Sequence, residues 1–266
     1  MRVKIASWNI NSVRLRAGLV VRFLREEAPD VLCLQECKSP VEKIPAAVFA
    51  EAGYGHIVAR GEKGYNGVAI LSRVPIEDAG SVDFGRLGHA RHVAARLPGG
   101  AVVHNVYVPA GGDIPDRAQN PKFGQKLDFL DHLAAWGADG GAGGSQAGAI
   151  LVGDLNIAPR EDDVWNHRAL LDVVSHTPVE VARLAAAQAA GGFVDVTRAH
   201  IPEGRLYSWW SYRAADWAAS DRGRRLDHIW ATPDLAGRAS GSRILREARG
   251  WEQPSDHVPV MADFDL

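Results

Sequence analysis

The sequence predicts one α/β domain built as a mixed-sheet sandwich with helices outside. Three observations carry this. Short apolar runs of strand length alternate with segments of helical period, without the even spacing of repeated strand–helix–strand units. No internal repeat and no break in composition divides the chain, so residues 1–266 read as a single domain. Its 266 residues, 46% hydrophobic and 23% charged, suffice for one large core.

The elements follow in order. Residues 3–8 alternate like a half-buried strand and stop at Asn9. Asn11 or Ser12 is placed to cap a helix carrying Leu15, Leu19 and Phe23, which ends before Pro29. Residues 30–35 form a continuous apolar strand running into Glu36, and 67–72, 92–97 and 101–108 read as further strands. A helix is expected over about 116–136, with Phe123, Leu127, Leu130 and Leu133 on one face. The glycine-rich stretch 137–148 lacks the Gly-Lys-Ser/Thr ending of a phosphate loop and reads as a flexible connection without chemistry. Residues 149–154 are a buried strand. Thr177, Pro178 and Glu180 form a capping box that opens a helix to Ala190. Residues 207–210 and 226–231 are strand-like. In the last strand Val258, Val260, Ala262 and Phe264 alternate, and Asp256 and His257 stand at its mouth aimed to opposite faces.

Bulk charge excludes a wholly basic nucleic-acid binder: the formal net charge is −2, so a polyanionic partner needs a local basic patch. Two cysteines, Cys33 and Cys37, allow neither a disulfide framework nor a zinc spacing, and Cys33 reads as core. The first residues form an amphipathic strand and not a signal peptide, and no apolar run is long enough to span a membrane. These features point to the cytoplasm.

Polar residues recur at strand ends: Asn9, Glu36, Tyr107, Asp154 with Asn156, Asp227, and Asp256 with His257. Singly each has an ordinary reading, as a cap, a solvated strand end, a turn or a packed ring. Jointly they resemble a site, because ligand sites in sheets gather at strand ends. Glu36 offers a hard oxygen ligand suited to Mg²⁺ or Mn²⁺. Asp154 can deprotonate a water, with Asn156 pointing the same way, and His257 can carry charge while Asp227 orients it. Phosphodiester hydrolysis needs such a set: a nucleophile, neutralised phosphoryl oxygens and a stabilised leaving alkoxide.

Seven blocks in order then carry a resemblance: residues 8–14 (WNINSVR), 34–38 (LQECK), 65–72 (YNGVAILS), 107–113 (YVPAGGD), 153–159 (GDLNIAP), 224–230 (RRLDHIW) and 255–260 (SDHVPV). Together they resemble the exonuclease III family of AP endonucleases, within the DNase I-like phosphodiesterase superfamily. The resemblance implies a four-layer α/β sandwich of two mixed sheets packed face to face. It implies Mg²⁺-dependent cleavage of duplex DNA 5′ to abasic sites, with 3′-phosphodiesterase and 3′→5′ exonuclease activities, by a monomer. It implies Glu36 as main metal ligand, with Asn9, Asp154, Asn156 and Asp256 on the metal side. Asp154 takes a proton from water, Asn156 helps to place that water, and Tyr107 contacts the phosphate or acts as phenolate. His257 contacts the scissile phosphate, oriented by Asp227, and Asn9 belongs to the same polar floor. Asn11 falls where some members carry a metal-side acid. Two positions depart from the commoner pattern: Cys37 stands in place of threonine, and Ala110 in place of an amide that meets the phosphate.

The stretch 209–228 mixes Trp209, Trp210, Trp217 and Tyr212 with Arg213, Arg222, Arg224 and Arg225, suiting backbone contact and wedging in a distorted duplex. The alternative is a surface loop whose arginines pair with Asp216 and Asp221. By resemblance Trp209 and Leu226 line a pocket for a flipped abasic sugar, and Arg213 enters the duplex. Lys63 and Tyr65 offer a second DNA-facing loop, or a plain polar turn. The competing functions are a superfamily phosphoesterase for lipid or inositol phosphates, which would lack the Trp-Arg mixture, and a catalytically silent DNA-binding relative.

Overall fold

A computed structural model describes residues 1–141 and 148–266. The first sheet contains strands β1 (Arg2–Asn9), β2 (Val31–Gln35), β3 (His56–Arg60), β4 (Val68–Ser72), β13 (Ala239–Ile244) and β14 (Val260–Asp265), in the order β13-β14-β1-β2-β4-β3. The second contains β5 (Glu77–Asp78), β6 (His92–Arg96), β7 (Val102–Tyr107), β8 (Ala149–Asp154), β9 (Val194–Asp195) and β12 (Asp227–Ala231), in the order β5-β6-β7-β8-β12-β9. Each is mixed: β1 and β2 run parallel in one, β7 and β8 in the other, and the remaining neighbours are antiparallel.

Alternation explains the layering. Val3, Ile5, Val31, Cys33, Val260 and Phe264 face inward from the first sheet and meet Val93, Val103, Ile150, Val152 and Ile229 of the second in one core. The opposite faces are covered too. Helices α1 (Ala17–Glu26) and α2 (Ala46–Glu51) bury Phe23, Leu24 and Phe49 against Trp8, Leu32 and Leu34. Helices α3 (Pro121–Ala138) and α4 (Pro178–Ala190) bury Phe129, Leu133 and Leu184 against Leu151 and Trp230. The result is the expected four-layer α/β sandwich, and strands buried on both faces read as unbroken apolar runs.

Several boundaries differ from expectation. Asn11 and Ser12 do not cap a helix: both have positive φ, and Ser12 N and Val13 N bond to Glu36 O and Cys37 O. Helix α1 starts only at Ala17, which leaves Leu15 exposed. Helix α3 starts at Pro121 instead of 116, because Asp116 holds a turn and Asn120 caps the helix by accepting from Lys122 N. Residues 142–147 of the glycine-rich stretch lie outside the described residues. Only Trp209–Trp210 of the 207–210 run is strand (β10), paired with β11 (Gly223–Arg224) in a separate ribbon. The last strand begins at Val260, since Pro259 has no N–H to give. Strands β3 and β13 were not expected. They are edge strands with partly exposed faces and weak alternation. Among the described residues no helix is long and apolar enough to cross a membrane.

Arg225 departs furthest from its reading. It is fully buried, well away from any role at a DNA surface. Its guanidinium pairs with Asp163 at 2.8 Å and Asp195 at 2.9 Å, and Asp163 also pairs with Arg198. Arg225 donates to His228 Nδ1, so His228 donates from Nε2 to Ile157 O at 2.8 Å. This network ties the start of β12 to the segment after β8. Removing the shared carboxylate by Asp163→Ala leaves two buried guanidinium groups short of a partner, and should cost roughly 3–5 kcal/mol. Denaturant unfolding checks this, and a loss under about 1 kcal/mol would refute it.

Candidate active site

Strand register assembles the site. Asp154 ends β8, with Tyr107 beside it on β7 and Asp227 opposite it on β12. In the other sheet Asn9 ends β1 beside Gln35 of β2, and Glu36 follows. The two sets of ends face each other. Asn9 Nδ2 donates to Glu36 Oε1 at 3.0 Å and to Asp154 Oδ2 at 2.9 Å. The Tyr107 hydroxyl donates to the same Glu36 oxygen at 2.8 Å.

The backbone is shaped to present these groups. Gly153 has φ +147°, and a Cβ there would lie 1.8 Å from Val106 O, so only glycine fits before Asp154. Glu36 and Asn156 adopt φ of 49° and 55°, in the left-handed region. For a residue like Glu36 this costs roughly 1–3 kcal/mol, the kind of local strain found at functional sites. Asn156 tolerates it better. Its N and Nδ2 both donate to Asp154, and Nδ2 also reaches Val108 O. Its carbonyl accepts from Lys126 Nζ at 2.8 Å. Lys126 is paired in turn with Glu180 at 2.5 Å, both side chains without solvent exposure.

Charge is distributed unevenly. Asp227 Oδ2 accepts from Ser208 Oγ at 2.6 Å and His257 Nδ1 at 2.8 Å. His257 Nε2 lies 3.6 Å from Asp154 Oδ2. Burial opposes a charge on His257, but Asp227 and Asp154 outweigh it and raise the imidazolium to about 10. Burial raises the Asp154 carboxyl to about 7; His257 and Asn9 pull it back while Asp227 and Glu36 add to the rise. Burial, with the charges of Glu36 and Asp154, keeps the Tyr107 phenol protonated well above its usual range. Burial also disfavours a charge on Glu36, yet the Lys38 ammonium and the hydrogen bonds from Asn9 and Tyr107 hold its carboxyl below the usual value.

Other predicted residues fall into place around this centre. Asp256 and His257 do aim apart: Asp256 accepts from Trp209 Nε1 at 2.9 Å and Asn11 Nδ2 at 3.2 Å. Trp209 and Leu226 pack with Ala158, Val164 and Leu170 in a small cluster at the site's edge. Arg213, Lys63 and Tyr65 are exposed on loops. The arginines of 209–228 do not pair with Asp216 and Asp221. Asp216 caps a short helix, and Asp221 accepts from Trp210 Nε1 and Arg246. The arm carrying Arg213 is braced by a ladder of rings and guanidinium groups. Arg246 lies over Trp210 (4.9 Å) and Trp217 (5.4 Å), and Arg249 over Trp217 (5.6 Å) and Tyr212 (5.1 Å). Cys37 is buried, its thiol pushed up to about 12 by burial and Glu36, which suits no nucleophile.

Residues 6–257 match the Endonuclease/Exonuclease/phosphatase family. The chain belongs to that family. Exodeoxyribonuclease III of Haemophilus influenzae is 29% identical over 98% of the chain and its own full length. An AP endonuclease from Archaeoglobus fulgidus has 35% identity and a TM-score of 0.91, over 99% of this chain and all of its own. The 3′ phosphatase NExo from Neisseria, solved with product DNA hairpin, has 33% identity and a TM-score of 0.89, over 99% of this chain and all of its own. Within the family this chain is of the exonuclease III type.

The chemistry of this family calls for a metal ion, and the residues fit one. Lys38 Nζ already stands in for a cation, 2.7 Å from Glu36 Oε2 and 2.6 Å from Asn11 Oδ1. Oxygen donors of this kind suit a hard divalent ion. A second acidic grouping, Asp154, Asp227 and His257, lies within 4.8 Å, and Asp227 Oδ1 is buried without a partner. There His257 Nδ1 donates to Asp227, and without a bound ion the two carboxylates hold the imidazole protonated. Asn9 also faces the carboxylates as a donor, its own oxygen taken by Asn11 N.

Lys126, Lys38 and Ser208 escaped the sequence reading. A lysine inside a helical pattern reads as solvated, and nothing local marks its burial. Lys126→Met should destabilise the fold by roughly 3–5 kcal/mol, since it strands the Glu180 carboxylate. Adding Glu180→Gln, which keeps the capping acceptor, should recover much of that loss in thermal or denaturant unfolding. No recovery would show that the pair's charge is not the cause.

Proposed function

We propose that this DNA-repair nuclease is a Mg²⁺-dependent phosphodiesterase that cuts duplex DNA 5′ to abasic sites and clears blocked 3′ ends, with 3′→5′ exonuclease activity. One observation carries the reading: Tyr107, Asp154 and Asp227 stand abreast on three neighbouring strands, with Glu36 held across from them by Asn9.

Each residue then has a task. Asp154, its carboxyl raised by burial, accepts a proton from the attacking water, and Asn156 helps to place that water. The His257 imidazolium, fixed by Asp227, meets the charge developing on the phosphoryl oxygens. Tyr107 acts as a neutral phenol that orients Glu36 and touches the phosphate, in preference to a phenolate. Glu36, with Asn11 and the flanking Asp154, would hold Mg²⁺ or Mn²⁺; Asn9 and Asn156 place those carboxylates, and Asp256 supports Asn11 and Trp209. Bound there, the metal would polarise the phosphate and neutralise its charge. Arg213, Lys63 and Tyr65 are exposed for duplex contact, while Trp209 and Leu226 bound a pocket for a nucleotide without its base. Exposed Tyr212, Arg213 and Arg222 on the arm, with its tryptophans packed beneath, favour DNA over a lipid or inositol phosphate. The intact set of Glu36, Asp154, Asn156 and His257 disfavours a silent relative.

A duplex with one abasic analogue should be incised with Mg²⁺ and left intact with EDTA; no metal-dependent incision by the wild type would sink this function. Asp154→Asn should lower kcat by about 10²–10⁴-fold, the usual worth of a general base, with Kd for DNA changed little. Equal losses in both would mark a structural role.

The pH dependence has a defined sign. Asp154 is active as carboxylate, so the rate is present above its pKa and lost as pH falls through it. In the metal-free protein the Asp154 carboxyl should therefore titrate near 7 rather than in the ordinary aspartate range, as read by carboxyl NMR. A midpoint near 4 would reject Asp154 as the raised base.

A further inference from the structure

The cluster around Trp209 and Leu226 contains one side chain that its apolar character does not explain. Ala158, Val164, Leu170 and Leu226 are buried there, with Trp209 packed against them. Arg224 stands directly opposite Trp209 in the β10–β11 ribbon, so both side chains share a face. Its guanidinium carbon lies 5.3 Å from the Trp209 ring centre. Leu226, two residues on, is buried in the same cluster. The Leu226 and Asp227 amides both donate to Ser208 Oγ, which itself donates to Asp227, so this wall adjoins the catalytic carboxylates.

The arginine is held but not neutralised. Both of its hydrogen bonds leave from Nη1, to Val174 O at 3.0 Å and Ser175 Oγ at 2.6 Å. Its Nε is buried and has no partner. Among the described residues Arg224 forms no ion pair, whereas its neighbour Arg225 is paired with Asp163 and Asp195. A guanidinium stacked on a ring and pinned at Nη1, its Nε buried, can receive a carboxylate or phosphate on the Nη2 side.

We propose that Arg224 is a specificity-determining residue that makes this pocket a receptor for an anionic oxygen group carried beyond the scissile phosphate. The inference rests on the nuclease function above. Two sources share that chemistry: the carboxylate of a 3′-phosphoglycolate end, and the phosphate that follows a baseless sugar in a continuous strand. For the first, water adds its oxygen to phosphorus, the P–O3′ bond breaks, the 3′ oxygen takes up a proton, and phosphoglycolate leaves with its carboxylate on Arg224.

The test compares kcat/KM on three duplexes with Mg²⁺: a 3′-phosphoglycolate end, a 3′-phosphate end and an internal abasic analogue. The proteins are wild type, Arg224→Gln and Arg224→Lys. In Arg224→Gln the phosphoglycolate-to-phosphate ratio should fall about tenfold or more, the worth of a hydrogen bond to a charged group, while in Arg224→Lys, which keeps the charge but not the stacked fork, it falls less. If the following phosphate is the anion bound, it is the abasic-to-phosphate ratio that falls. These ratios do not depend on the folded fraction, so a destabilised variant still gives an answer. Wild-type activity with both ratios unchanged in Arg224→Gln overturns this proposal alone. A wild type inactive on all three duplexes overturns the nuclease function as well.

Discussion

Glu36 leaves one sheet and Asp154 ends the other, and both carboxylates lean on the same Asn9 amide. Like charges in a dry site repel strongly, and Asp227 adds a third carboxylate, so this meeting depends on the donors and cations set around it. Tyr107 and Lys38 serve Glu36; Asn156 and His257 serve Asp154. The sandwich core acts on this point indirectly. It fixes the gap between the sheets and the register along each, and the two acids can then meet only at the strand ends.

The floor beneath them shows how such a polar centre is tolerated inside an apolar protein. Asn105 of the second sheet donates to Leu34 O and Ala69 O of the first, and accepts from Gln35 Nε2 at 2.7 Å. Buried amides without such partners would cost free energy on the scale of whole mutations. Paired as they are, they lock the two sheets in one relative position, which apolar contacts alone specify less sharply. The Arg225–Asp163 network does the same for β12, and the Lys126–Glu180 pair for the segment holding Asn156. Three buried polar ties thus converge on the candidate site.

Much of this was legible in the sequence. Apolar runs marked the central strands because both of their faces are buried, and the polar residues that end them marked the site because nothing in a core explains them. The Thr177–Glu180 capping box appeared as written. What the sequence hid was burial of charge. Arg225 sits in a run of arginines beside an exposed arm, and only its partners on distant segments, Asp163 and Asp195, show that it faces inward. Lys126 was hidden for the same reason. Asn11 reads as a cap because its side-chain oxygen can accept from a helix N–H, while the left-handed backbone that it adopts here is one that asparagine also tolerates. Periodicity reports which face is apolar; it does not report which polar residues have found a buried partner.

The ladder of rings and guanidinium groups under the arm has a thermodynamic consequence for encounters with a duplex. Rings that alternate with cations from Tyr212 to Trp210 leave the arm little rotamer freedom to lose. A recognition loop that is already ordered surrenders less entropy on association than one that folds around its target. If the arm meets DNA as proposed, the duplex does most of the bending. Sites where the helix is already weakened by a missing base deform at the lowest cost. Under the proposed function, stiffness in the protein becomes discrimination in the complex: an arm that does not adapt favours DNA that is already easy to deform.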